Sequence, residues 1–276
     1  MIGFEKQPTG RMGNVLIQYV FLRQLAEKIG LDYFHPVLPY EKYFRDFKVR
    51  RRPLKELMKK KWIVSNAYIS EVGVEQFIKE AIEKKDYSIV LKPPVLGHLL
   101  EWEDENQMRF IRVKEEFSQG VADESYNGRK KAGIHFRATD FREWDINAVL
   151  DFEYYKNAID YVMQSMDGDA PVFFLFTDEN EFDTYKQTIM YLEEKGLEYV
   201  AGDANRPMMK DFIGLSECDV IISSPSTFAI CAALYGKDNK MIVHSRKWVD
   251  YCVNRKEVFW QTVQDNKNQH YNTVVL

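Results

Sequence analysis

Residues 135–140 bring together side chains suited to a phosphate-bearing ligand. An imidazole, a guanidinium, a hydroxyl and a carboxylate follow one apolar run, in the order His135, Arg137, Thr139 and Asp140. A guanidinium donates two parallel hydrogen bonds to phosphate oxygens and keeps its charge at any working pH, so Arg137 is our candidate for binding a diphosphate. Its alternative role is a structural ion pair with Asp140. His135 suits contact with a base or a sugar, or it is a core histidine with satisfied hydrogen bonds.

Two further polar stretches also come directly after apolar runs. Asp178 follows the run 172–176, where its carboxylate suits binding of hydroxyls, orientation of Arg137 or capping of the next helix. Residues 223–228 read Ser-Ser-Pro-Ser-Thr-Phe. Hydroxyls and the free N–H groups of a helix start form a phosphate cradle without a lysine. N-capping by Ser224 or Ser226 accounts for part of this pattern, but four hydroxyls exceed what one cap needs.

The elements that must position these residues alternate between strand and helix. This order predicts a parallel, doubly wound α/β sheet, in which ligands bind beyond the carboxyl ends of the strands. All three polar stretches follow such ends. The predicted strands are 132–136, 172–176, 198–201, 220–223 and 241–243, and the predicted helices are 152–163, 182–194, 208–216 and 226–234.

The first half of the chain opens with a glycine-containing loop. Gly10-Arg11-Met12-Gly13-Asn14 separates a strand-like start from a helix that Gly30 ends, an arrangement that points backbone N–H groups toward the loop. A polar stretch at 118–131 indicates a linker. We therefore predict two domains, over 1–125 and 126–250. A C-terminal helix at about 250–276 is expected to pack back onto the first domain.

A basic segment lies in the predicted first domain. Eight lysines and arginines crowd residues 48–61, interleaved with leucines and a methionine, and the pattern over 47–62 predicts a basic amphipathic helix. Such a helix either contacts an anionic membrane surface or lipid-linked acceptor, or simply presents a solvated face. Loops are expected near 92–102. The acidic residues 103–105 are assigned to helix-dipole compensation and not to a metal.

Composition narrows the classes of protein. The 276 residues carry a net charge of −4 with a pI near 5.8, which gives no general reason to expect nucleic acid as a partner. Three cysteines without CxxC spacing indicate neither a disulfide framework nor a zinc site. No signal-peptide pattern and no run of about 20 apolar residues is present. We predict a soluble cytoplasmic protein, with peripheral contact at the inner face of a membrane through 48–61 as a further option.

Taken together, the motifs resemble the α-1,2-fucosyltransferase family (glycosyltransferase family 11) and its α-1,6- and protein O-fucosyltransferase relatives. Residues 10–14 with Gln18-Tyr19 are similar to the family's Gly-Arg-Leu-Gly-Asn and Gln-Tyr signature, and 135–141 resembles its His-x-Arg-Arg-Gly-Asp-Tyr motif. Residues 174–179 resemble its next strand end. Residues 211–218, running on to 226–228, are similar to its last motif.

The resemblance implies a GT-B-like fold, with two Rossmann-like domains and a cleft between them. Residues 1–125 would form the N-terminal acceptor-side domain, with acceptor loops near 92–102, and residues 126–250 would form the nucleotide-sugar-binding domain. It implies an inverting, metal-independent enzyme without a cofactor, which moves fucose from GDP-fucose to a glycan hydroxyl, as in α-1,2 linkage to galactose of a surface polysaccharide or O-antigen. Arg137 would bind the β-phosphate. The other implied donor contacts are His135 and Asp211 at the guanine, Ser226, Thr227 and Phe228 at the nucleotide and phosphates, and Gly13 and Asn14 closing the cleft; Asp178 completes our donor-site set.

Ala138 and Thr139 replace the family's second arginine and its glycine, so one cation is missing. Two other functions therefore stay open: transfer of another GDP- or nucleotide-linked sugar, and catalytically silent binding of a sugar nucleotide or glycan. A dinucleotide-binding oxidoreductase is disfavoured because no GxGxxG follows a strand. Asp140, Glu143 and Asp145 are the candidate general bases, and Asp140 is our choice.

Overall fold

A computed structural model describes residues 1–95, 107–122, 124–166, 170–236, 240–255 and 271–276. These residues form two compact units, Met1–Lys114 and Glu115–Leu276. The acidic residues 103–105 and most of the expected acceptor loop at 92–102 lie outside the described residues. No helix in the described part of the chain is long and apolar enough to cross a bilayer.

The first unit contains a parallel sheet of four strands in the order β2-β1-β4-β3. The helix after β1 is buried along most of its length, because its apolar residues recur at helical spacing. Gly30 follows this helix with φ +65°, a conformation that glycine adopts without strain. The strands are β1 Ile2–Phe4, β2 Tyr33–Phe34, β3 Lys61–Ser65 and β4 Ser88–Lys92, and the helices are α1 Met12–Lys28, α2 Leu54–Leu57, α3 Asn66–Val72 and α4 Val74–Glu83.

The prediction of a basic amphipathic helix over 47–62 is wrong. Only Leu54–Leu57 is α-helical, and Pro53 precedes it in an extended conformation. A proline disfavours helical backbone at the residue before it, which blocks a helix through Arg52. The end of the segment instead forms the edge strand β3, whose Trp62 and Val64 pair with β4. Aromatic and β-branched side chains favour a strand, and tertiary pairing overrode the helical pattern.

The second unit contains the predicted parallel, doubly wound sheet, here with six strands in the order β10-β9-β8-β5-β6-β7. Its central strands are buried apolar runs, as parallel strands covered on both faces require. The strands are β5 Lys131–His135, β6 Val172–Phe176, β7 Tyr199–Val200, β8 Val220–Ser223, β9 Lys240–His244 and β10 Tyr271–Val275. The helices are α5 Phe141–Trp144, α6 Phe152–Ser165, α7 Asp183–Glu194, α8 Met208–Ser216, α9 Thr227–Tyr235 and α10 Arg246–Asn254.

The C-terminal region also differs from expectation. A helix was expected over about 250–276, but α10 ends at Asn254 and residues Tyr271–Val275 form a strand. This strand, β10, pairs in parallel with β9 inside the second unit. Its Thr273, Val274 and Val275 are β-branched, which favours a strand wherever a sheet edge is free to pair.

The strand order creates a topological switch point in the second unit. The chain runs outward from β5 to β6 and β7, and then returns to place β8 on the other side of β5. Parallel sheets of this kind bind ligands outside the carboxyl ends of the two strands where the order reverses. The switch point therefore lies beyond His135 and Ser223, which pair with each other across β5 and β8.

Candidate functional site

The polar stretches found in the sequence meet at one edge of the second sheet. His135 pairs with Phe176 of β6 on one side and with Ser223 of β8 on the other. Beyond the paired ends, Phe136 donates a backbone hydrogen bond to Phe176 (2.8 Å), and Ser224 donates one to His135 (3.1 Å). The residues that follow β5, β6 and β8 are thus held side by side at the switch point.

Arg137 lies between two carboxylates at this edge. Its guanidinium is 2.7 Å from Asp140 Oδ1 and 3.1 Å from Asp178 Oδ2, and only 16% of its side chain is exposed. Both the ion pair with Asp140 and the orienting contact from Asp178 considered from the sequence are therefore present. The planar fork is fixed in direction before any ligand arrives, which limits the conformational entropy lost on binding an anion.

Asp178 also organises the chain after Arg137. Its Oδ1 accepts a hydrogen bond from the Ala138 backbone N–H (3.0 Å), and its Oδ2 accepts one from the Thr139 hydroxyl (2.6 Å). Thr139 therefore contributes a hydrogen bond to a carboxylate at the place where the family motif has glycine. With both carboxylates ionised, Arg137, Asp140 and Asp178 carry a formal charge of −1. A diphosphate that binds Arg137 therefore competes with these two carboxylates for the guanidinium charge.

His135 is buried and neutral at physiological pH. Burial lowers its pKa to about 4. Its Nδ1 lies 2.7 Å from the Ser224 hydroxyl, and its ring stacks on Phe228, with centroids 5.7 Å apart and planes inclined by 25°. A neutral imidazole keeps one donor and one acceptor nitrogen, and the half-buried Phe228 ring adds a flat apolar surface. This combination suits stacking and hydrogen bonding of a heterocyclic base.

The hydroxyls at the start of α9 divide between two tasks. Ser226 caps the helix by accepting a hydrogen bond from the Phe228 backbone N–H (3.2 Å). Ser224 contacts His135, as described above. The capping role weighed from the sequence is therefore present at Ser226, while Thr227 occupies the half-buried first position of the helix. Backbone N–H groups of a first helical turn attract anions, so this turn is suited to a phosphate.

Asp211 lies in α8 beside an arginine that the sequence reasoning missed. Arg206 donates from Nη1 to Asp211 Oδ1 (3.2 Å) and from Nη2 to the carbonyl of Ala201 (2.9 Å). Burial raises the pKa of Asp211 to about 7, although Arg206 acts in the opposite direction. The next residue, Phe212, packs edge-on against Phe228 at 5.6 Å, which connects α8 to the aromatic surface. A five-residue spacing of opposite charges is not one that pairs side chains on a helix, so no local pattern marks this pair.

The structure separates the three candidate bases. Asp145 is engaged in local structure, because it accepts hydrogen bonds from the Asn147 backbone (3.0 Å) and from the Tyr251 hydroxyl (2.7 Å). The hydrogen bond from Tyr251 is the main cause that lowers the pKa of Asp145. Glu143 is exposed on the short helix α5. Asp140 directly precedes that helix and contacts Arg137.

Gly13 and Asn14 lie in the first turn of α1, in the first unit. The buried Gln18 holds this turn in place: its Nε2 donates to the carbonyls of Thr9 (2.9 Å) and Asn14 (3.0 Å), and its Oε1 accepts from the Val95 backbone (3.1 Å). The expected closure of Gly13 and Asn14 over the nucleotide stays a prediction.

Metal ligation finds no support in the described ranges, where no three His, Cys, Asp or Glu side chains are grouped to hold an ion. The expectation of a metal-independent reaction stays a prediction.

Sequence comparison identifies the family. The sequence model of glycosyl transferase family 11 matches residues 4–262. The chain belongs to glycosyltransferase family 11. It is therefore a glycosyltransferase, as the motifs predicted. No curated protein gives a significant match to this sequence.

Solved structures share the fold. POFUT1 in complex with GDP-fucose superimposes with a TM-score of 0.52 at 12% identity, over 84% of this chain and 93% of that one. A mutant of Arabidopsis thaliana FUT1 in complex with GDP gives a TM-score of 0.54 at 10% identity, over 87% of this chain and 69% of that one. At such low identity the likeness concerns the fold alone. It confirms the predicted GT-B-like α/β class.

Proposed function

We propose that this member of family 11 transfers fucose from GDP-fucose to a hydroxyl group of a glycan acceptor. The GDP-fucose and GDP bound in the related structures support the choice of donor. The resemblance of the motifs to α-1,2-fucosyltransferases favours a galactose hydroxyl of a surface polysaccharide or O-antigen, presented on an oligosaccharide or a lipid-linked glycan.

The observation that carries the proposal is the set of groups at the switch point between β5 and β8. His135 and Phe228 form the aromatic surface for the guanine, with Asp211 on the neighbouring helix α8. The first turn of α9, at Ser226 and Thr227, meets the phosphates. Arg137 is the cation for the diphosphate, and its two carboxylate contacts hold it toward that edge. Parallel α/β sheets place nucleotides at this position.

The proposed reaction is a single displacement with inversion. The acceptor oxygen bonds to the anomeric carbon of fucose while the bond from that carbon to the β-phosphate oxygen breaks, and GDP leaves with the bonding electron pair. Negative charge grows on the diphosphate as the sugar becomes oxocarbenium-like. We propose that Arg137 and the N–H groups of α9 meet this charge without a metal, a contribution of roughly 3 kcal/mol for one well-placed donor.

Asp140 is the proposed base that takes the proton of the acceptor hydroxyl. Its carboxylate contacts Arg137, so that proton acceptance competes with an ion pair. Transfer of an Arg137 arm to the diphosphate would release the Asp140 carboxylate. Donor binding would then prepare both the cation and the base in one step, and Asp140→Asn would lower kcat far more than it changes GDP affinity.

One observation favours a second donor. Thr139, which stands where the family has a glycine, donates a hydrogen bond to Asp178, and no second arginine precedes it. A sugar that needs less charge compensation in the transition state than fucose would suit this site. Another GDP-linked sugar is therefore the alternative substrate, and silent binding is the alternative in which transfer is absent.

Calorimetric titration with GDP, GDP-fucose, GDP-mannose and a UDP-sugar tests these proposals. We expect GDP and GDP-fucose to bind, and GDP-fucose to support transfer to a galactose-terminated acceptor. Binding of UDP without GDP would exclude the fucose proposal. GDP binding without transfer to a broad acceptor panel would favour the silent protein, and transfer from GDP-mannose alone would favour the alternative donor.

A further inference from the structure

Apolar side chains are concentrated on the surface of one segment of the first unit. Residues 49–63, here called the exposed segment, contain five of the ten large apolar side chains that are exposed in the described parts of the chain. Isolated exposed apolar residues are ordinary, but a cluster within one short segment marks an interaction surface. Its members are Val49, Leu54, Leu57, Met58 and Ile63, and the most exposed are Met58 at 89% and Leu54 at 81%.

A buried carboxylate sets the direction of these side chains. Glu56 of α2 is buried and pairs with Lys59 (2.8 Å) and with the amino group of Met1 (3.1 Å). Leu54 and Met58 are four residues apart and thus share a face of the turn, about opposite to Glu56. The inward ion pairs therefore present Leu54 and Met58 outward together.

The exposed segment overlaps the basic stretch 48–61. Eight lysines and arginines and one glutamate give this stretch a net charge of +7, although the whole chain carries −4. Arg50 pairs with Asp32, Arg52 and Lys61 pair with Glu5, and Lys59 pairs with Glu56, so four of the eight cations are compensated. The other four are exposed and form no ion pair with any residue that the structure describes; they are Lys48, Arg51, Lys55 and Lys60.

We propose that the exposed segment docks the enzyme on an anionic lipid surface. Leu54 and Met58 insert among the acyl chains at the boundary of the bilayer, and Lys48, Arg51 and Lys55 contact the phosphate headgroups. Apolar side chains flanked by lysine and arginine bind lipid in this way, since burial of apolar area adds to electrostatic attraction. In place of the long amphipathic helix predicted from the sequence, the short helix Leu54–Leu57 and its flanks combine exposed apolar side chains with cations.

Charge argues against a second copy as the partner. A two-fold contact through this segment would place one basic stretch opposite another, and like charges facing each other oppose association. A lipid surface is also where a lipid-linked glycan acceptor is presented. The docking itself does not depend on the transfer reaction, because its residues belong to the first unit and the proposed donor contacts at the switch point belong to the second.

Sedimentation with vesicles tests the proposal without nucleotide or acceptor. We expect the purified chain to bind vesicles of phosphatidylcholine with phosphatidylglycerol, to bind phosphatidylcholine alone poorly, and to dissociate as salt is raised. Leu54→Ser with Met58→Ser should weaken binding on the order of 100-fold, from the apolar area that no longer enters lipid. Arg51→Gln with Lys55→Gln should weaken it about 30-fold, from the loss of two headgroup contacts.

Matched variants in the second unit serve as controls. Met190→Ser removes an apolar side chain that is 66% exposed, and Lys247→Gln removes an exposed cation. Both should leave vesicle binding unchanged. Each variant is melted by circular dichroism to verify folding, and the two double variants test the surface independently of each other.

Equal binding to both kinds of vesicle, or vesicle binding that neither double variant weakens, would overturn the proposal. So would a dimer in light scattering that Leu54→Ser with Met58→Ser dissociates, because the segment would then join two copies. If the unaltered chain binds GDP but no anionic vesicles, docking alone is refuted, whereas vesicle binding without GDP binding refutes only the proposed donor.

Discussion

Replacement of Arg137 gives the sharpest test of the donor site. Its guanidinium contacts one carboxylate with each terminal nitrogen, so two arms of the fork are already in use before a ligand binds. Lysine at this position keeps the charge but presents a single nitrogen instead of a planar fork. Methionine keeps the approximate length of the chain and removes the charge. The series Arg137→Lys and Arg137→Met therefore separates geometry from charge.

The expected magnitudes follow from the contacts. One hydrogen bond involving a charged group contributes about 1.5–3 kcal/mol, so Arg137→Lys should lower kcat/KM by roughly 10- to 150-fold through loss of one arm. Arg137→Met loses both arms of the fork and should lower kcat/KM further. It also leaves Asp140 and Asp178 without their shared cation. We expect about 1–3 kcal/mol of lost stability, below the cost in a fully buried pair because Asp140 is 34% exposed and screened by solvent.

Steady-state transfer, GDP titration and urea unfolding measure these effects separately. If Arg137 meets charge that develops as GDP leaves, kcat should fall more than GDP affinity does. Arg142→Met is the matched control: Arg142 pairs with Glu179 at 2.8 Å and is 45% exposed, so its loss should change transfer little. Near-wild-type kcat/KM in Arg137→Met, with the fold intact, would show that the proposed role is wrong.

Three other predictions concern positions around the two sheets. Gly10→Ala should lower the free energy of unfolding more than Gly30→Ala does. Both glycines have positive φ, but a Cβ at Gly10 would lie 2.6–2.8 Å from atoms of the Asn14 side chain, whereas the space at Gly30 is open. The two variants should therefore differ by about 1 kcal/mol or more in urea unfolding. Burial raises the pKa of Asp211 to about 7, so the folded protein keeps a proton that the unfolded chain loses near pH 4, and stability falls as pH rises through this window. Asp211→Asn lacks this titration and should gain about 2 kcal/mol relative to the wild type between pH 5 and pH 8; a pH-independent difference would refute the assignment. Lys240 is buried and donates to two backbone carbonyls at the end of α8, so Lys240→Met should lower the free energy of unfolding by about 2–4 kcal/mol, and an unchanged urea midpoint would contradict this.

Much of the second unit follows from the sequence alone. The strands 172–176 and 220–223 and the helix 208–216 have the boundaries that the sequence predicts. Continuous apolar runs bounded by turn residues specify buried parallel strands, and these signals are local. The polar residues at the strand ends could be identified for the same reason, because each directly follows an apolar run.

The first unit shows where local pattern is insufficient. Residues 47–62 have helical spacing of apolar and basic side chains, yet Pro53 prevents an α-helix before Leu54, and Lys61 and Trp62 pair at the edge of the sheet. The C-terminal residues Tyr271–Val275 likewise form a strand because β9 offers an edge. In both places a pairing partner far along the chain decided the conformation.

By itself, the sequence determined which residue types stand at the strand ends, and hence that Arg137 and Asp178 belong to one polar edge. Only the tertiary structure decided which partner each side chain takes. Three contacts depend on which strands and helices are neighbours: His135 with Ser224, Arg206 with Asp211, and the hydrogen bond from Thr139 to Asp178. Strand order is set by non-local pairing and by packing of helices on the sheet, which no short stretch of residues encodes.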